Sequence, residues 1–143
     1  MVYKRRFNTL AEVFEYSTST YATNQVSSFV DGEQSYTYAQ FRDRCEHLSR
    51  LLSTFGIGAY DKVAILSENM PNWAIAFFSL TAYGRIVVPM LQELSSNEVT
   101  NIINHSESKA IFVSKKQLGK LDETIVEKLN LVIDIETFEF IKV

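Results

Sequence analysis

Four short apolar runs that do not alternate with polar residues set the strongest limit on what this chain can become. They are Val63-Ala64-Ile65-Leu66, Ile86-Val87-Val88, Ala110-Ile111-Phe112-Val113 and Leu131-Val132-Ile133. A strand with one solvated face alternates, so an unbroken run belongs to a strand covered on both faces, as in a parallel sheet. Parallel neighbours need a long crossover between them. Each gap here carries apolar residues at helical spacing. The expectation is α/β: a mostly parallel, doubly wound sheet with helices on both faces.

The crossovers are marked by their ends. Pro71 suits a first helical turn, the body from Trp73 to Tyr83 is almost wholly apolar, and Gly84 stands where such a helix stops; the next strand is expected to end at Pro89. Ser95-x-x-Glu98 is a capping box ahead of Val99, Ile102 and Ile103. A looser stripe of Leu118, Leu121, Ile125 and Leu129 predicts one further helix before the last strand. Ahead of the sheet, Thr9-x-x-Glu12 opens a helix expected from Leu10 to Ala22. Thr37-x-x-Gln40 opens another, whose face is Phe41, Cys45, Leu48, Leu51, Leu52 and Phe55 and whose stop is Gly56. Between them, Ser27-Ser28-Phe29-Val30 and Ser35-Tyr36-Thr37 flank Asp31-Gly32, which predicts a β-hairpin. The tail from Glu136 alternates polar and apolar residues and carries no cap or stop signal, so continuation past Val143 is expected.

Composition excludes several classes. A net charge of −3, from 14 basic and 17 acidic residues, lacks the basic excess of a nucleic-acid surface. Lys4-Arg5-Arg6 is not followed by the apolar core of a secretory signal, and the most apolar stretch, residues 73–91, is interrupted by Gly84, Arg85 and Pro89. No transmembrane segment is expected, and the reading is a cytoplasmic protein. The single cysteine, Cys45, sits on an apolar stripe and reads as a buried thiol.

In an open α/β sheet, ligands bind outside the carboxyl ends of the strands. The loops to inspect are Ser67-Glu68-Asn69-Met70, Met90-Leu91-Gln92-Glu93 and Ser114-Lys115-Lys116. Neither a GxGxxG nor a GxxxxGK[ST] phosphate loop is present, so nucleotide phosphate binding by this chain alone is unsupported, and a flavodoxin-like electron carrier is discounted. No HExxH, paired CxxC or EF-hand spacing exists, and no metal site is expected. His47 reads as a solvated helix residue and His105 as an answer to a helix dipole. Glu68 and Asn69 read either as the charged rim of a site or as the polar start of the next helix, with the second favoured. Lys115, Lys116 and Lys120 read either as a solvated face or as a group that meets a polyanion.

The ordered landmarks Tyr36-Thr37-Tyr38-Ala39-Gln40-Phe41, GIGAYDKVAILSENMPNWAIAFFSLTAYGRIVVPM and SSNEVTNIINHSESKAIFVS together resemble the N-terminal region of the adenylate-forming acyl-CoA synthetases. The likeness covers about residues 10–118. The Asn-x-Pro-x-Trp form of Asn69 to Trp73, and the stretch from Pro89 through HSESKAIFVS, resemble the bacterial long-chain fatty acid–CoA ligases. Two positions depart from that pattern: Tyr60 stands where a glycine is usual, and Arg85 where a small residue is usual.

The resemblance implies that residues 1–143 are a partial N-terminal domain of a larger enzyme. That enzyme would use ATP, Mg²⁺ and coenzyme A to turn a fatty acid into its CoA thioester. The phosphate loop, the magnesium-binding glutamate and the C-terminal domain with its lysine would lie downstream, so this piece alone is expected to be inactive and to hold no cofactor. By similarity of position, Met90, Leu91, Lys115, Lys116 and Lys120 are the expected coenzyme A wall. Some relatives dimerise through this region, and peripheral membrane contact is compatible with the implied substrate. The competing reading is a non-catalytic α/β binding or regulatory module.

Overall fold

The computed structural model describes residues 6–27 and 35–143. Its centre is a five-stranded sheet of β3 (Lys62–Leu66), β4 (Ile86–Met90), β5 (Ala110–Val113), β6 (Leu131–Asp134) and β7 (Phe140–Lys142), in the order β4-β3-β5-β6-β7. The first four are mutually parallel and β7 runs antiparallel to β6. Ahead of them lie α1 (Leu10–Thr20), β1 (Gln25–Ser27), β2 (Tyr36–Thr37) and α2 (Tyr38–Thr54). The crossovers are α3 (Pro71–Thr81), α4 (Ser96–Ser106) and α5 (Glu123–Lys128).

The pleat sends alternate residues of each strand into two separate cores. Val63, Ile65, Ala110, Phe112, Leu131 and Ile133 face α1, α2 and α3. Ala64, Leu66, Ile111, Val113 and Val132 face α4 and α5. This is the doubly wound arrangement that the apolar runs predict, and it explains why those runs do not alternate. Phe112, wholly buried in the first core, illustrates the scale: truncating such a side chain to alanine costs about 3–5 kcal/mol.

The helix ends follow their chemistry. Thr37 and Gln40, and Ser95 and Glu98, form complete capping boxes. At α1 the box is half made: Thr9 Oγ1 accepts from the Glu12 amide, but the Glu12 carboxylate takes the Asn8 N–H at 2.7 Å. Helix α1 also stops at Thr20, two residues before the expected Ala22. Gly56 ends α2 with φ of +77°, a left-handed conformation that costs a glycine little.

Four expectations are corrected. Strand β4 does not end at Pro89 but continues to Met90, and it is an edge strand with Ile86 exposed, not a covered one. Proline is tolerated there because its missing N–H faces away from β3. The predicted helix across Leu118 to Leu129 is instead a 3₁₀ turn (Leu118–Lys120) followed by α5, which starts only where the Asp122 carboxylate caps the Ile125 amide at 2.8 Å. The alternating tail, for which the sequence reading named no element, forms β7 against β6. The first hairpin strand already begins at Gln25, before the expected Ser27, and pairs antiparallel with β2; Ser28, Phe29, Val30 and the Asp31-Gly32 turn lie outside the described residues.

Candidate functional site

The strand order places a topological switch between β3 and β5. From β3 the chain crosses to β4 through α3 on one face, then returns past β3 to β5 through α4 on the other. Loops leaving β3 and β5 therefore head for opposite faces of the sheet, the arrangement beside which open α/β sheets form a ligand crevice; the cavity at this edge lies between the loops after β3 and β4.

The loops after β3 and β5 meet through one hydrogen bond. Ser114 Oγ, just past β5, donates to Glu68 Oε2, just past β3, at 2.5 Å. Burial opposes ionisation of the Glu68 carboxyl, but the Ser114 hydroxyl and the charges of Lys116 and Lys120 outweigh it and hold the group below the usual carboxylate range. The favoured sequence reading of Glu68 as a helix-start residue is thus corrected. The N-cap of α3 is Met70, which offers no capping side chain, and Glu68 instead ties the two switch loops together.

Further along the edge, Asp134 at the end of β6 is 6% exposed and accepts the Glu136 amide at 2.8 Å. Lys115 Nζ lies 3.9 Å from Asp134 Oδ2, and the Lys115 amide donates to Glu136 Oε2 at 3.3 Å. From the other side, Lys120 Nζ donates to Gln92 O at 2.5 Å and so clasps the loop after β4.

The five residues expected to form a coenzyme A wall are brought to this one edge, in different states. Lys115 and Lys116 are exposed, Lys120 is half-buried and engaged by Gln92, and Leu91 is 72% exposed. Met90 is turned into the α4-side core and only fringes a cavity of about 320 Å³ shared with Ser67, Asn69, Trp73, Pro89 and Leu91. Three lysines are interleaved with Glu68, Asp134 and Glu136, so the crevice itself is not a cationic basin. A polyanion would meet Lys115 and Lys116 on the rim, and those two side chains fit a phosphate contact. No backbone cradle for nucleotide phosphates is built from these loops. Among the described residues, no group of three or more His, Cys, Asp or Glu side chains is disposed to hold a metal ion.

Other features carry no reaction chemistry. A larger cavity of about 690 Å³ opens beside the end of α3, lined in part by Phe14, Tyr16 and Tyr83. Its carboxylates are already engaged: Glu15 by Arg42, Glu46 by Arg50 and Glu12 by the Asn8 amide. Burial pushes the Cys45 thiol up to about 12, which leaves it a packing residue. His47 is exposed on α2 and His105 lies in the last turn of α4. No described helix is long and apolar enough to cross a membrane.

Sequence reasoning missed Asn72. Its side chain is buried, and Nδ2 donates to both Ile135 O and Glu136 O at 2.9 Å. It also missed the role of Arg85, whose buried guanidinium donates to Ile57 O, Ser49 O, Ser49 Oγ and Ser53 Oγ. Both bind acceptors far away in the chain, and no local spacing announces such a contact.

Comparison with known proteins agrees with this architecture. The AMP-binding enzyme family matches residues 14–142. The 4-hydroxybutyrate--CoA ligase 2 of Metallosphaera sedula is 35% identical over 88 residues, covering 62% of this chain and 16% of the relative. Long chain acyl-CoA synthetase 4 of Arabidopsis thaliana is 30% identical over 120 residues, covering 79% of this chain and 18% of the relative. Among solved structures, the N-terminal domain of FACL13 from Mycobacterium tuberculosis superimposes with a TM-score of 0.74 at 21% identity, covering 80% of this chain and 29% of that one. The chain thus spans about a fifth of the length of the curated relatives it matches. With its family match across nearly the whole chain and its doubly wound sheet, the protein belongs to the adenylate-forming AMP-binding enzymes and resembles the N-terminal part of their acyl-CoA synthetases.

Proposed function

We propose that this chain is a scaffold segment of an ATP-dependent acyl-CoA synthetase that acts on a long-chain fatty acid. The observation that carries the reading is the family match over residues 14–142, on a sheet whose carboxyl edge holds no phosphate loop. In the reaction of the whole enzyme, a carboxylate oxygen attacks the α-phosphorus of ATP and pyrophosphate leaves. The sulfur of coenzyme A then attacks the acyl carbon and AMP leaves. Mg²⁺ would offset phosphate charge in the first step, held by residues outside these 143.

This segment contributes one wall. Lys115 and Lys116, both exposed, would meet coenzyme A phosphates, Leu91 would offer an exposed apolar contact on the neighbouring loop, and Lys120 holds that loop through Gln92. Long-chain specificity is supported by the likeness to the plant long-chain synthetase and by the Asn69 to Trp73 pattern. A cytoplasmic, membrane-peripheral enzyme and a homodimer are compatible with that substrate class and form part of the proposal.

The purified chain mixed with ATP, Mg²⁺, palmitate and coenzyme A is expected to release no pyrophosphate in a coupled phosphate assay. Turnover that persists through repurification would refute the scaffold reading. In place of the expectation that this piece alone holds no cofactor, the exposed lysines lead us to propose weak coenzyme A binding, which titration calorimetry should show falling with salt and lost in Lys115→Ala/Lys116→Ala.

A further inference from the structure

We infer that Asn72 is a positioning residue for the Lys115–Lys116 turn. In its link to coenzyme A, this inference rests on the proposed function. Asn72 stands at the second position of α3 and is 7% exposed. Its two amide hydrogens go to consecutive carbonyls, Ile135 O and Glu136 O, both at 2.9 Å. A primary amide that spans two successive carbonyls fixes the path of the backbone between them, because both donors lie in one rigid plane.

From that point a chain of contacts runs to the lysines. Residues 135 and 136 are held from the other side by β5 and β6: Ile135 donates to Val113 O at 3.1 Å, and Glu136 donates to Asp134 Oδ1 at 2.8 Å. The Glu136 carboxylate thereby reaches the Lys115 amide at 3.3 Å, and the Asp134 carboxylate sits 3.9 Å from Lys115 Nζ. Asn72 sets the Glu136 backbone, Glu136 sets the Lys115 amide, and the lysine turn is carried with it. The start of α3 is therefore coupled to the cationic rim across the width of the sheet edge. The same geometry orients Asn72: with Nδ2 committed to two carbonyls, Oδ1 is left buried without a partner, so the amide is held for its donors.

The test uses the chain as it is, with two readouts. Asn72→Asp is isosteric and replaces both donors by a carboxylate oxygen facing two carbonyls. Amide hydrogen exchange followed by NMR is expected to be about tenfold faster at Lys115 and Glu136, with Ile111 and Val63 in the sheet unchanged. Exposed Glu136→Ala, which leaves Asn72 and its carbonyl partners in place, should speed exchange at Lys115 alone. In that background Asn72→Asp should add nothing further at Lys115. Unchanged exchange at Lys115 in Asn72→Asp overturns the inference, and so does uniform acceleration through α3 and the sheet, which marks a merely structural role. If Asn72→Asp does not fold, Glu136→Ala decides, since an unaltered Lys115 amide in that variant breaks the chain of contacts. Coenzyme A itself is the probe for the second readout, with affinity in Asn72→Asp expected to fall about fivefold while its salt dependence stays, because both lysines remain. If the unaltered chain binds no coenzyme A while the exchange pattern holds, the positioning role stands and the coenzyme A reading falls.

Discussion

Replacing Arg85 by methionine tests how this fold treats a buried cation that, among the described residues, is met by hydroxyls and carbonyls and by no carboxylate. The guanidinium is 6% exposed and places five hydrogen bonds on the end of α2 and the turn after it. Methionine keeps most of the volume and none of the donors. Ile57 O loses both its Nε contact at 3.0 Å and its Nη2 contact at 2.8 Å, so it becomes a buried acceptor without a side-chain partner, at about 1–3 kcal/mol. Ser49 O retains the Ser53 hydroxyl at 3.2 Å, and Ser49 Oγ can rotate, so together they add about 1 kcal/mol. Against this, desolvation already lowers the Arg85 pKa, and removing the charge returns part of that penalty. The orphaned carbonyl and the lost answer to the α2 dipole should win, for a net loss of about 2–3 kcal/mol. In urea, followed by circular dichroism, the midpoint should fall at constant slope, with a thermal midpoint about 6–10 °C lower. Arg85→Lys keeps the charge but lacks the planar fork, and should fall between the two. An Arg85→Met protein as stable as the parent, or more so, would show that guanidinium desolvation outweighs its hydrogen bonds.

Two other positions give sharp outcomes. Tyr60 has φ of +66° and is 83% exposed, so Tyr60→Gly removes left-handed strain and little packing; stability should rise by about 0.5–1 kcal/mol in the same urea assay. Asp61 is held below the usual carboxylate range, first by the hydrogen bond from Lys109 at 2.7 Å and then by the Gly58 amide at 2.8 Å. A depressed folded pKa means its contribution is present above the unfolded value of about 3.9 and lost as pH falls through the folded one. The urea midpoint of the parent should therefore drop more steeply below about pH 4 than that of Asp61→Asn, with the two curves converging in acid.

What the sequence discloses is what is local. Capping boxes place a hydroxyl and a carboxyl or amide three residues apart, so α2 and α4 are legible from Thr37, Gln40, Ser95 and Glu98 alone. Unbroken apolar runs disclose strands covered on two faces, and through them the layer order. An edge strand announces itself poorly: β4 runs through Pro89 because nothing needs its N–H, and β7 is three residues in an alternating tail. The 3₁₀ turn at Leu118–Lys120 keeps leucines at spacings that imitate one longer helix. At the candidate site the loops are legible from strand ends, and their internal bonding is not. Glu68 meets Ser114 across two crossovers, so its role depends on a register that only the folded sheet sets.

The two departures from the family pattern have physical accounts in the fold. At Tyr60 the backbone keeps the positive φ that a glycine would adopt freely, and its amide still bonds Gly84 O at 2.8 Å. Arg85 is not a stray cation beside the strand. It turns away from β4 to satisfy the carbonyls of another element.

The position of β3 in the sheet carries a consequence for how the chain acquires its structure. Its neighbours are β4, which follows one crossover later, and β5, which pairs with it only after α3, β4 and α4 have all been made. No two consecutive residues of β3 share a core, so the strand is fully covered only when helices from both sides have arrived. Loop closure over such separations is slow, and the rate-limiting step should be the arrival of β5 beside β3, on a scale of milliseconds to seconds. During synthesis, β3 leaves the ribosome long before its second partner, and the interval in which its Val63-Ala64-Ile65-Leu66 edge stands open is the period when a chaperone has most to protect.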